Sequence, residues 1–122
     1  MKVLKAKKIN YFQGGLIKIF NNDKINFKIK EVYAVEIRGK HQRYWRQHIN
    51  CNKILFCIEG KFTIEIIKKN KKIKKIISKN NYIKIPKKTI FRFKSTTVNR
   101  NLMIVLSDIL NKKLISRKDF TY

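Results

Sequence analysis

The chain has 122 residues, room for a single domain spanning 1–122, and 43% of them are hydrophobic, which supports a packed core and excludes a disordered tail. No apolar run approaches the roughly 18 residues of a membrane-spanning helix, and the start Met1-Lys2-Val3-Leu4-Lys5 lacks the apolar stretch of a secretion signal, so a cytoplasmic protein with no membrane partner is expected. The net charge of +24 suits a polyanion, but the lysines are spread through every segment with abundant Ile and Asn, the trio that A/T-rich codons supply, so nucleic acid is expected to bind only non-specifically.

Along the chain, short β-rich runs alternate with turn residues. Residues 16–20 follow Gly14-Gly15 and end at a turn over Asn21-Asn22-Asp23. Residues 29–37 alternate, with Tyr33, Val35 and Ile37 on one face. Residues 53–58 form an apolar strand ending at Glu59-Gly60, and 61–67 carry Phe62, Ile64 and Ile66 on one face. Residues 68–72 predict a hairpin turn around Asn70, because a solvated tip tolerates like charges. Strands over 73–77, 82–85, 89–93 and 102–106 complete an all-β set, and 109–117 is a weak candidate for a short C-terminal helix. Cys51 and Cys57 are six apart, outside any C-x-x-C frame, and are expected as reduced thiols, with Cys57 in the core.

The only stretch dense in catalytic residue types is Arg38-Gly39-Lys40-His41-Gln42-Arg43-Tyr44-Trp45-Arg46-Gln47-His48. In an extended 43–48, Tyr44, Arg46 and His48 share one face and Arg43, Trp45 and Gln47 the other. A histidine beside a guanidinium on an inward face is a base next to a fixed positive charge. On spacing alone the plainer reading, a polar loop with surface arginines, is preferred. His48 and Cys51 make half a zinc site with no other half.

Several segments resemble, in order, the cupin-type nucleotide-sugar 3,4-ketoisomerases (the WxcM-like cupins). Phe27-Lys28-Ile29-Lys30-Glu31-Val32-Tyr33 looks like their F-x-I-K-R-V-Y strand, and Arg43-Tyr44-Trp45-Arg46-Gln47-His48 falls where they carry R-G-x-H-x-H. Ile54-Leu55-Phe56-Cys57-Ile58-Glu59-Gly60 matches their apolar strand ending in Gly. Met103-Ile104-Val105-Leu106-Ser107-Asp108 resembles M-x-V-L-x-S-D, and Ile115-Ser116-Arg117-Lys118-Asp119-Phe120 echoes the closing I-R-x-Y-x-x-F.

The resemblance implies a cupin jelly-roll β-barrel, a homodimer, with a dTDP-linked deoxysugar as ligand and no cofactor. The implied reaction moves the ketone of a dTDP-4-keto-6-deoxyhexose from C4 to C3 through an enediol, as in the deoxysugar biosynthesis that feeds lipopolysaccharide. His48 matches the second motif histidine, the family's favoured base. Arg46 stands where the first histidine belongs and would hold the enediolate, and Tyr33 matches a pocket tyrosine. Arg43 opens the motif, Tyr44 replaces its Gly, and Gln13 takes the place of an early Arg, which makes these three the implied substrate-binding set. The family's P-x-x-W-H is Pro86-Lys87-Lys88-Thr89-Ile90 here, without the Trp or the His. Cupin metal positions correspond to Arg46, His48, Lys53 and Ile90 or Phe91, so one ligand survives beside two cations and no metal is expected. Two alternatives stay open. One is a non-catalytic nucleotide-sugar-binding cupin or partner of another sugar-modifying enzyme; the other is a nucleic-acid-binding β-barrel, which the lack of an aromatic stacking surface disfavours.

Overall fold

The computed structural model describes residues 1–19 and 27–110. Period-two sequence becomes twelve strands there: β1 (Leu4–Lys5), β2 (Lys7–Tyr11), β3 (Gly14–Lys18), β4 (Glu31–Arg38), β5 (His41–Gln42), β6 (Arg46–Gln47), β7 (Lys53–Glu59), β8 (Lys61–Lys68), β9 (Lys71–Ser78), β10 (Asn81–Ile85), β11 (Ile90–Ser95) and β12 (Arg100–Ser107). One antiparallel sheet runs β1-β10-β7-β12-β4, and the second runs β5-β11-β8-β9 with β6 also on β11. The two face each other as the cupin jelly roll that the sequence leads one to expect. Strands β2 and β3 form a separate hairpin. No helix among the described residues is long and apolar enough to cross a membrane.

The inner faces of both sheets supply one core: Leu55, Cys57, Ile83, Met103 and Val105 meet Phe62, Ile64, Ile66, Ile77, Phe91 and Phe93. A second cluster, Ile54, Phe56, Tyr82 and Leu106, lies on the outer face of the first sheet under Leu4, Ala6, Ile19 and Phe27. Strand β7 is therefore buried on both sides, which is why its sequence is a continuous apolar run rather than an alternating one. Both thiols are free and buried. Burial pushes Cys57 up to about 11, and it raises Cys51 against the pull of the Lys53 charge.

Turns follow local chemistry. At the β8–β9 tip, Lys69 and Asn70 have φ of 51° and 61°, a two-residue turn that matches the strand twist and closes the expected hairpin. Only Ile109 and Leu110 of the expected C-terminal helix are described, and neither is helical; the rest of it, and the turn expected at 21–23, lie outside the described residues. Strand β2 had no counterpart in the sequence reading.

Gly60, between β7 and β8, has φ +79°, and a Cβ there would meet Arg100 O at 2.8 Å. It also abuts the fully buried Asn101, whose amide bonds Lys61 N, Thr97 Oγ1 and the carbonyls of Ile37 and Asn99. Gly60→Ala therefore combines a left-handed backbone penalty with a backbone clash, and should lower unfolding free energy by about 1–3 kcal/mol in a urea titration.

Candidate functional site

Parity on four strands sends an unusual set of side chains inward. Tyr33 and Val35 of β4, Lys53 and Leu55 of β7, Val105 of β12, and Phe91 and Phe93 of β11 form the walls of a cavity of about 260 Å³. Its remaining wall is Arg43, Arg46 and His48, from the segment that leads into and out of β6. His48 is 5% exposed, with its ring 6.0 Å from that of Phe91. The Arg43 and Arg46 guanidinium carbons stand 6.0 and 5.9 Å from the Phe93 ring centroid, within cation–π range. Lys53, 3% exposed, donates from Nζ to Tyr33 Oη at 2.7 Å and lies 5.0 Å from that ring.

The segment is fixed from the opposite side. Arg43 N bonds Phe93 O, and β6 pairs Arg46 with Phe91 and Gln47 with Ile90. Gln47 Nε2 donates to Lys88 O, while Lys88 N donates back to His48 O at 2.6 Å. Trp45, 3% exposed, packs with its ring 4.3 Å from the Arg92 guanidinium and 5.9 Å from Lys72 Nζ. Arg92 in turn holds the buried Glu65 at 2.9 Å, with Lys72 and Lys94 each at 3.7 Å from that carboxylate. Burial raises the Glu65 carboxyl, but the Arg92 hydrogen bond and the charges of Arg92, Lys94 and Lys72 outweigh it and hold the group below the usual carboxylate value.

Of the sequence-derived candidates, Tyr33, Arg43, Arg46 and His48 line the cavity. Tyr44 is 75% exposed and Gln13 is exposed at the tip of the β2–β3 hairpin; neither lines it. Strict alternation set Arg43 apart from Arg46 and His48, but residues 43–45 are not strand, so the pattern slips there and Arg43 joins the inner set. Lys53 also lines the cavity, although its charge pointed in the sequence only to an obstacle to metal; the signal for it is inward parity with Leu55 and Cys57. No cluster of three or more His, Cys, Asp or Glu side chains with metal-binding spacing occurs among the described residues. What the cavity offers is one imidazole, a phenol and three cations on an apolar floor, a set suited to moving a proton beside developing negative charge.

The family model described as FdtA, WxcM-like, C-terminal, matches residues 1–117, and the chain belongs to that family. No curated protein sequence matches it. Its fold is similar to that of a dTDP sugar isomerase from Desulfovibrio desulfuricans (TM-score 0.83, 13% identity, covering 98% of this chain and 83% of that one). It is similar also to the WlaRB TDP-quinovose 3,4-ketoisomerase of Campylobacter jejuni (0.82, 21%, 98% and 92%). A third is a histidine-to-asparagine mutant of the 3,4-ketoisomerase QdtA from Thermoanaerobacterium thermosaccharolyticum, in complex with TDP-4-keto-6-deoxyglucose (0.76, 19%, 92% and 82%).

The anchor under the site has a testable pH signature. Because the folded Glu65 carboxyl is held below 4.5, its contribution to stability is fully present above that value and is lost as pH falls through the lowered one. Glu65→Gln should cost about 1–3 kcal/mol near neutral pH, and the gap to wild type should shrink below about pH 4.5 in denaturant titrations.

Proposed function

We propose that this chain is a nucleotide-sugar 3,4-ketoisomerase that moves the ketone of a dTDP-4-keto-6-deoxyhexose from C4 to C3. The observation that carries this reading is the convergence of His48, Arg43, Arg46 and Tyr33 on one cavity. Membership of the FdtA family and a fold whose neighbours include proteins seen with TDP or a TDP-keto-sugar support it. The reaction is an internal redox change, so proton transfers alone balance it. His48 takes the C3 proton, the C3–H electron pair becomes the C3–C4 double bond, and negative charge gathers on the C4 oxygen beside Arg46. The C3 hydroxyl proton passes to the C4 oxygen through the Tyr33 phenol, and the His48 imidazolium returns its proton to C4, leaving a ketone at C3. Arg43, at the cavity wall, contributes positive charge for the diphosphate.

A second reading keeps the ligand and drops the chemistry: a nucleotide-sugar binder, favoured by the guanidinium of Arg46 standing where the family's first motif histidine belongs. The experiment that separates the two is exchange of the sugar C3 hydrogen in deuterium oxide, followed by NMR on TDP-4-keto-6-deoxyglucose. Wild type should exchange it, and His48→Asn should slow exchange by about 10²–10⁴-fold with TDP affinity preserved. Binding without exchange above solvent background would leave the binder reading in its place.

The homodimer implied by family membership belongs to the same proposal. The β2–β3 hairpin exposes Tyr11, Phe12, Leu16 and Ile17, an apolar surface that a second copy would cover. Light scattering should give twice the chain mass, and Phe12→Lys with Leu16→Lys should shift it toward one.

A further inference from the structure

Lys53 is the odd group in the cavity. It is 3% exposed, and no carboxylate pairs with it among the described residues. Its neighbour Cys51 offers no counter-charge, since burial keeps that group a thiol. An ammonium withdrawn from water with a phenol but no counter-charge beside it is costly, and an anion arriving in the cavity relieves that cost. The keto sugar is neutral at its reacting carbons, and charge appears there only when a proton leaves C3. A fixed cation at that point favours the transition state over the ground state.

The hydrogen bond to Tyr33 refines the role. An ammonium has protons to give and no lone pair to accept with, so Lys53 donates and Tyr33 Oη accepts at 2.7 Å. The phenol's own proton is thereby left for another acceptor, and the two side chains act as one donor pair. Resting on the ketoisomerase reading above, we propose that Lys53 is a catalytic residue. Its ammonium, paired with the Tyr33 hydroxyl, holds the oxygen that becomes negative as His48 removes the C3 proton.

A buried lysine facing a ketone also invites a covalent role, and atom balance argues against it. Addition of the Lys53 amine to the C4 ketone with loss of water would give an iminium, and loss of the C3 proton an enamine. Proton return to C4 would then place the ketone at C3 with nitrogen held to C4 by a single bond. The sugar would stay tethered and turnover would stop. Lys53 therefore acts through charge and hydrogen bonding alone.

The test compares wild type, Lys53→Met and Lys53→Gln in C3 exchange and steady-state conversion of TDP-4-keto-6-deoxyglucose, with TDP affinity by calorimetry and a thermal melt for each. Both variants should lose about 10²-fold or more in kcat with KM and TDP affinity little changed. Borohydride added during wild-type turnover should leave the chain mass unaltered. If Met at this position compromises the fold, the polar Gln variant carries the comparison. Exchange that survives in a folded Lys53 variant, a rise in KM at constant kcat, or a borohydride-trapped sugar on the chain would each overturn the role of Lys53 while leaving the ketoisomerase reading intact. A wild type that shows no exchange removes that reading, and this role with it.

Discussion

The site depends on one constraint: the stretch from Arg43 to His48 is pinned on both sides of a sheet. Outside, Trp45 lies against Arg92, which is itself locked to the buried Glu65. Inside, Arg43, Arg46 and His48 face the cavity. Two guanidiniums and an imidazole would not hold a fixed arrangement on a free loop, because each gains more from water than from the others. The indole and the β6–β11 pairing supply the binding energy that keeps them in place. A residue pointing away from the cavity thus sets where its guanidiniums and imidazole sit.

The same logic bears on the large positive charge. Among the described residues, Glu65 gathers Arg92, Lys72 and Lys94, while Glu36 pairs with Arg100 and Arg38. Glu59 also holds Arg100, so these three acids are engaged by cations on the outer surface of the sheets. None pairs with Lys53 among the described residues. The placement of these carboxylates, more than the total of +24, leaves the cavity's Lys53 without a counter-charge among the described residues.

The strands were legible because most of them have one wet and one dry face. Tyr33, Val35 and Ile37, or Phe62, Ile64 and Ile66, announce their inner face by alternation. The tip at Asn70 was legible because clustered lysines and an asparagine suit a positive-φ turn. Strand β2 was not, since only Ile9 among its residues is even partly buried and its pairing is with the neighbouring β3 alone. The active segment was half legible. Motif order brought out His48 and Arg46, but alternation separates Arg43 from Arg46, and an irregular stretch over residues 43–45 undoes that separation. Tyr44 followed the same irregularity outward.

The substitutions at the motif then have a common sense. A cupin metal centre places a divalent cation where substrate oxygens bind, and neutral or anionic ligands must converge to hold it. In the cavity of this chain stand Arg46 and Lys53, two cations that would repel such an ion. They also bring positive charge into the same space without one. A metal stabilises an enolate oxygen as a Lewis acid, whereas a guanidinium and an ammonium do so as hydrogen-bond donors held by the fold. Cations cannot serve as bases, so the proposed proton transfer at carbon falls to the one imidazole in the cavity, and under that proposal this division of labour ties His48, Arg46 and Lys53 into a single site.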